Sequence, residues 1–277
     1  MSAHPGSVRT VHPIERLRYV ARSSGADQAL LVRETAGALS GLGFDPAGLV
    51  TACRRIVDRH VASAPLWWLC ARVLTASDAL GEAYRAADEI AADRTGSELA
   101  HALPDGATVC VLGWPEVISE ALVRRGDLDV LVVDALGEGS GLARRLRRSD
   151  VDAEEVATAG LGAAAAAADL VLLEASAIGD DAAVAIAGSR AAAAVGHHAG
   201  VPVWLVGGIG RLLPARMWQA LVARLDEASE PWDADDEIVP LDLIDRLCGP
   251  AGPEAVATGL RRVDCPITPE LFRPTAF

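Results

Sequence analysis

The sequence of 277 residues contains no lysine and no asparagine, and all 25 of its basic residues are arginine. Without lysine, a Schiff base, a Walker-type phosphate loop and a kinase catalytic lysine are excluded. Without asparagine, N-linked glycosylation is excluded. The pattern is typical of a GC-rich coding bias, but its chemical consequence holds whatever its origin. Arginine is the only fixed cation that this chain offers to an anion.

Cysteine is scarce and shows no pairing pattern. The five cysteines are widely separated and form no CxxC pair, which argues against a disulfide framework and against a zinc site. We expect reduced thiols, no metal and no cofactor. No segment approaches the roughly 18 apolar residues of a membrane span, and the N-terminus lacks a signal-peptide pattern. These absences predict a cytoplasmic protein that does not bind membranes.

Acidic residues outnumber basic ones, 38 to 25, and give a formal net charge of -13. Because an acidic surface repels a phosphodiester backbone, we expect no nucleic-acid partner. Four arginines cluster at residues 144–148 in a short predicted helix. We interpret them as a solvated helix face, with an anion or RNA contact as the alternative.

The first 103 residues are predicted to form a helical N-terminal domain. Apolar residues recur every three or four positions over residues 28–39, 46–61 and 76–99, as in amphipathic helices. Asp45 followed by Pro46 is typical of a helix N-cap. Breaks are expected at residues 41–43 and at Pro65, and the last helix is expected to be a long connector.

Residues 104–277 are predicted to form a Rossmann-like α/β domain with an acidic C-terminal tail. Strand-like apolar runs occur at residues 108–112, 128–133, 155–158, 170–173 and 201–206. Helical patterns separate them, including one at residues 181–198, so a mostly parallel sheet is expected. The tail carries one predicted helix at residues 241–247. Sites in such sheets lie beyond the carboxyl ends of the strands.

Two strand ends carry the candidate site residues. Glu174 and Ser176 follow the run at 170–173, and Glu174 is either a general base or a hydrogen-bonded structural carboxylate. Gly207 and Gly208 follow a later strand and precede Arg211. Their spacing does not fit a dinucleotide fingerprint, so a backbone turn is the favoured interpretation, although its amides could hold one phosphate.

Several of these features occur in a collinear order that resembles the initiation factor 2B alpha/beta/delta family. The features are Asp105-Gly106, Glu174-Ala175-Ser176, Gly188-Ser189, the strand at residues 201–206 and the segment at residues 263–272. Arg22 to Ala26, with Gly25, also looks like a loosened Arg-Gly-Ala phosphate loop of that family. The family includes methylthioribose-1-phosphate isomerase and ribose-1,5-bisphosphate isomerase. The resemblance implies a helical domain joined to a Rossmann-like domain, a homodimer through the latter, and a sugar-phosphate or nucleotide-monophosphate pocket between the domains.

The sequence departs from the isomerases at their catalytic positions. Gly113 stands where the resemblance places the catalytic cysteine, and Ser176 stands where it places the aspartate. Cys110 lies three residues before the cysteine position. The family's Asn-Lys pair cannot exist here, and Ala185 and Ile186 lie at about that place. Because each member of an acid/base pair contributes roughly 10²- to 10⁴-fold in rate, we do not expect the family's isomerisation.

Three hypotheses follow. The first is a non-catalytic or catalytically diverged family member that acts as a dimeric interaction or regulatory subunit, or binds a phosphorylated small ligand. The second is a sugar-phosphate isomerase-like enzyme that uses Glu174 and Asp134. The third is an interaction protein whose pocket is filled by Trp114 and Trp204. The candidate ligand-binding residues are Arg22, Gly25, Gly113, Ser176, Arg190, Gly207, Gly208 and Arg211.

Overall fold

A helical layer opens the part of the chain that the structure describes. The computed structural model describes residues 28–40, 45–226 and 230–273. The first helices are α1 (Gln28–Ser40), α2 (Pro46–Arg59), α3 (Ala64–Thr75), α4 (Ala79–Ala91) and α5 (Thr95–Ala102). As predicted, Asp45 caps α2 by accepting a 3.0 Å hydrogen bond from the Gly48 amide.

Two predicted features of this helical layer are wrong. Pro65 does not break a helix but lies in the first turn of α3. Proline is tolerated there because backbone N–H groups in the first turn have no partner within the helix. The long helix predicted at residues 76–99 is two helices, because the Asp93 carboxylate takes up the amide and hydroxyl of Thr95, at 2.9 and 2.6 Å. A new helix, α5, therefore begins at Thr95.

A sheet with nine strands in the described ranges forms the second part of the molecule. Its strands are β1 (Thr108–Leu112), β2 (Asp129–Val133), β3 (Asp152–Val156), β4 (Leu170–Ile178), β5 (Ala182–Ile186), β6 (Val203–Val206), β7 (Asp236–Pro240), β8 (Arg246–Gly249) and β9 (Gly252–Ala255). The main order is β3-β2-β1-β4-β6-β8-β9, parallel except for β9. The far end of β4 pairs with β5, and β5 pairs with β7, both antiparallel. The predicted helical region followed by a mostly parallel α/β sheet is confirmed.

Helices connect and cover these strands. They are α6 (Glu116–Arg125), α7 (Gly139–Arg148), α8 (Leu161–Ala167), α9 (Ser189–Ala199), α10 (Ala215–Asp226) and the short α11 (Val256–Gly259). The central strands bury apolar side chains on both faces, as the near-continuous apolar runs predict. None of the helices in the described ranges is long and apolar enough to cross a membrane.

Two helix predictions in this half are wrong. The pattern at residues 181–198 divides into β5 and α9, which meet at Gly188 with a φ of +98°. The alanine-rich run favours a helix by intrinsic propensity, but burial of its side chains between β4 and β7 makes it a strand. The helix predicted at residues 241–247 is a short 3-10 turn, Leu241–Leu243, followed by β8. The acidic tail therefore supplies three strands of the sheet.

One apolar core joins the helical layer to later segments of the chain. Trp67 and Trp68 of α3 are fully buried in it, together with Met217 of α10 and Leu271. Arg224 of α10 anchors this region, because its Nε donates to Asp58 Oδ1 at 2.8 Å and its Nη2 donates to the Leu271 carbonyl at 2.9 Å.

The segment that follows α11 lies along the helical layer and makes directed contacts with it. The Trp68 indole N–H donates to Asp264 Oδ1 at 3.1 Å, and Arg54 Nε donates to the Glu270 carbonyl at 2.6 Å. These hydrogen bonds fix the orientation of the segment, and burial of Cys265 and Leu271 supplies the apolar part of the contact.

Candidate functional site

A cavity of about 700 Å³ lies at the carboxyl edge of the parallel strands. Leu112 at the end of β1, Glu174 and Ser176 of β4, and Ile186 of β5 line one side. Residues from the loop after β2, the first turns of α6 and α9, and Gln28 at the start of α1 complete the lining. This is the edge where open α/β sheets place their sites. The structure brings Glu174, Ser176 and Arg211 together there.

Glu174 is held by three donors inside the fold. One carboxylate oxygen lies 3.0 Å from Arg211 Nη2, and both side chains are almost buried, at 10% and 6% exposure. The other oxygen accepts the amides of Val117 and Ile118, at 2.9 and 3.1 Å. These amides belong to the first turn of α6, where helix N–H groups lack partners and a negative charge is favourable. Glu174 therefore anchors α6 to the sheet.

Arg211 and the turn before it also form hydrogen bonds to other parts of the chain. Besides its ion pair, Arg211 donates from Nη1 to the Ala175 carbonyl. The Ile209 amide donates to Asp93 Oδ2 at 2.8 Å, and the Gly207 amide donates to the Cys248 carbonyl at 2.9 Å. A Cβ atom on Gly208 would lie 2.2 Å from Asp93 Oδ2, so glycine permits this approach. The turn at residues 207–210 thus serves to dock α5 against the sheet.

Gly113 and Ser176, at which the sequence resemblance leads us to expect the isomerase pair, have structural roles. Gly113 has a φ of +61°, and a Cβ there would lie 2.7 Å from Ile186 Cδ1. A side chain at this position is disfavoured by both the backbone and the packing. Ser176 Oγ donates to the Val184 carbonyl at 3.2 Å across the β4–β5 pair. Neither residue supplies an acid or a base.

Asp134, the second candidate catalytic carboxylate, caps a helix. Its Oδ1 accepts the Gly139 amide at 2.8 Å, at the start of α7. The Thr158 hydroxyl donates to the Asp134 carbonyl at 2.6 Å and fixes the backbone beside it. Asp134 lies outside the cavity lining, so it and Glu174 are not brought together in the cavity.

Arg190 also lies away from the cavity lining. Arg190 is exposed on α9, and its amide donates to Glu237 Oε1 at 2.8 Å. Arg22 and Gly25 lie outside the described residues. Cys110 is buried within β1, where desolvation raises the pKa of its thiol to about 12. Such a thiol stays protonated at neutral pH and is a poor nucleophile.

Sequence reasoning missed the acidic side of the cavity. Asp235 and Asp236, at the start of β7, line it beside Ser189 of α9. Burial, and the charge of Asp235, raise the pKa of the Asp236 carboxyl to about 6. Burial also raises the pKa of Glu138. The signal in the sequence is the acidic run at residues 233–237, which the sequence predicts only as part of a tail packed on the domain or on a partner subunit. Among the described residues, no group of three or more potential ligands is placed to hold a metal ion.

An aromatic side chain completes the rim of the cavity. Trp114 follows Gly113 and is 38% exposed. The guanidinium carbon of Arg145, on α7, lies 5.9 Å from the centre of its ring, within the range of a cation–π contact. Trp114 thus lines the cavity instead of filling it, and Trp204 is not among the lining residues.

The fold defines the class of protein to which the chain is similar. The chain resembles the solved translation initiation factor eIF-2B of Pyrococcus horikoshii OT3, with a TM-score of 0.74 and 15% identity over 90% of this chain and 98% of that one. It also resembles eIF2B beta from Chaetomium thermophilum, with a TM-score of 0.72 and 15% identity over 95% of each chain. A chain of the tetrameric eIF2B-beta2-delta2 complex from C. thermophilum gives a TM-score of 0.72 and 17% identity, over 89% of this chain and 91% of that one.

The structural neighbours of the chain are therefore subunits of eIF2B, and the expected resemblance is confirmed at the level of the fold. At identities this low, the likeness establishes the fold and leaves the function to the residues of the site. No family model and no curated protein matches the sequence.

Proposed function

We propose that the protein is a non-catalytic member of the initiation factor 2B alpha/beta/delta family that acts in the cytoplasm as a homodimeric interaction subunit and holds a small metabolite in its cavity. The fold shared with eIF2B subunits supports the kinship. The contacts of the cavity residues support the absence of isomerase chemistry.

One observation carries the non-catalytic assignment. The two carboxylates available to replace the missing acid/base pair, Glu174 and Asp134, each accept amides at the start of a helix. Glu174 is in addition ion-paired with Arg211. A general base needs an oxygen free to reach the substrate proton, and the hydrogen bonds of Glu174 occupy both of its oxygens. The enzyme hypothesis therefore has less support than the binding hypothesis.

A ligand-binding role is supported by the size and lining of the cavity. A volume of about 700 Å³ is within the range of small-molecule sites. Because Trp114 lies on the rim, this volume favours a bound ligand over a cavity plugged by tryptophan. Among the groups predicted to hold a phosphate, Arg211 and the amides of Gly207 and Ile209 already have partners in the chain. A small polar metabolite is thus the part of the first hypothesis that we retain.

Assembly through the sheet domain is supported by analogy and by exposed apolar side chains. One neighbour is part of a complex described as a beta2-delta2 tetramer. In the present chain the apolar side chains of Leu136 and Trp232 are 53% and 79% exposed, so they are accessible to a second subunit.

The proposal is tested by two independent measurements. Purified protein is incubated with ribose-1,5-bisphosphate and with methylthioribose-1-phosphate, and we expect no turnover of either. Turnover that disappears in Cys110→Ser would overturn the non-catalytic assignment. The molar mass in solution is measured by light scattering after size exclusion, and we expect a dimer. A monomer at every accessible concentration would refute the homodimer and leave the result on catalysis intact.

A further inference from the structure

The cavity carries an excess of negative charge. Among the residues that the structure describes, six carboxyl groups line it, and two guanidinium groups, those of Arg145 and Arg211, oppose them. Arg211 is neutralised by its buried ion pair with Glu174, so it offers no charge to a ligand. A cleft lined mainly by one sign of charge concentrates ligands of the opposite sign. The electrostatics of this cavity favour a cation.

A buried hydroxyl in the same lining lacks a partner. Ser189, the first residue of α9, is 1% exposed, and its Oγ makes no hydrogen bond to any residue of the described ranges. Buried polar groups nearly always have a partner, and an exception calls for a specific explanation. At the start of α9 the amide of Arg190 already donates to the Glu237 carboxylate. This negative charge disfavours the binding of an anion beside Ser189.

Asp236 lies at the same end of the sheet as Ser189. Its backbone is paired with Ile186 at the end of β5, only three residues before Ser189. The two side chains therefore face the cavity from adjacent elements, one as a carboxyl acceptor and the other as a hydroxyl without a partner. A ligand group that donates several hydrogen bonds and carries positive charge satisfies both.

We propose that the ligand of this cavity is a small organic amine, such as a polyamine or an amino sugar, whose ammonium group binds between Asp236 and Ser189. The inference rests on the proposed ligand-binding role and names the chemical class of the ligand. The Trp114 ring in the same lining already has the Arg145 guanidinium beside it, and it offers apolar surface to the carbon skeleton of the amine.

The test compares amines with phosphates. Putrescine, spermidine and glucosamine form one arm, and ribose 5-phosphate, AMP and inorganic phosphate form the other, each measured by calorimetry and by thermal shift. We expect binding in the amine arm only. Asp236→Asn should weaken the binding of the best amine by at least about tenfold, because a charge-assisted hydrogen bond is lost. Ser189→Ala should weaken it less.

The test of Asp236→Asn requires that the variant folds and that a matched variant outside the cavity serves as its control. Asp236→Asn should fold, because burial already raises the pKa of that carboxyl and favours its uncharged form. The matched control is Asp233→Asn, which removes an exposed carboxylate of the same acidic run outside the cavity lining and should leave binding unchanged.

The possible outcomes distinguish a failure of the amine assignment from a failure of the proposed ligand-binding role. Binding of phosphates without amines would overturn the amine assignment and leave the ligand-binding role intact. Binding of neither arm would overturn both the amine assignment and the ligand-binding role. Amine affinity that is equal in the wild type and in Asp236→Asn would refute the position of the ammonium group.

Discussion

Replacing Glu174 by glutamine tests whether this residue is a structural anchor. The substitution keeps the shape of the side chain but removes its charge, so the nearly buried Arg211 loses its counter-ion. Breaking a buried ion pair from one side costs about 3–5 kcal/mol. For a chain of this size, each kcal/mol lowers the melting temperature by roughly 2–4 °C. We therefore expect a loss of roughly 6–20 °C.

Thermal unfolding followed by circular dichroism measures this loss. The matched control is Glu155→Gln, which changes an exposed carboxylate on β3 and should shift stability by less than about 0.5 kcal/mol. In Glu174→Gln/Arg211→Met no buried charge remains unpaired, so the double variant should recover much of the lost stability. An unchanged melting temperature in Glu174→Gln would refute the structural assignment and return Glu174 to the candidates for catalysis.

Three further predictions concern single positions. Gly113→Cys should destabilise the fold by about 1–3 kcal/mol in urea unfolding and create no isomerase activity, because the positive φ and the contact with Ile186 disfavour a side chain. Asp134→Ala should cost about 1 kcal/mol through loss of the α7 cap on Gly139, whereas Asp134→Asn should retain most of the stability. The raised pKa of Asp236 means that the folded state holds a proton that the unfolded state releases between about pH 4 and 6. Stability should therefore fall by up to about 3 kcal/mol as the pH rises through this interval, and Asp236→Asn should flatten the profile.

Local patterns in the sequence account well for the central strands. β1, β2 and β6 lie within or beside the predicted runs, because a strand buried on both faces is apolar along its whole length. β5 was predicted as helix, because its alanines carry no local sign of burial between two strands. The tail strands β7 to β9 were missed for a similar reason. They are only four or five residues long and mix polar with apolar residues, and the pairing of β7 and β8 depends on distant parts of the chain.

The sequence brings attention to Glu174, Ser176 and Arg211, which all line the cavity. The expectation that the strand ends before Glu174 is wrong, because β4 continues to Ile178; only its parallel pairing with β6 stops at Glu174. No spacing rule connects Glu174 with Arg211 or with the amides at the start of α6, because these contacts are created by the packing of separate elements. The role of Glu174 as a structural carboxylate therefore depends on donors that no local pattern in the sequence specifies.

The late segment that contains Asp264 and Leu271 has a consequence for the order of folding. During synthesis the helices α1 to α4 leave the ribosome long before the residues that complete their core. Until then the surface that will receive Leu271 and the Trp68 indole that will bond to Asp264 lack their final contacts. Contacts between distant parts of a sequence form late and leave apolar surface exposed meanwhile. A nascent chain halted before residue 264 should accordingly be the form most in need of a chaperone.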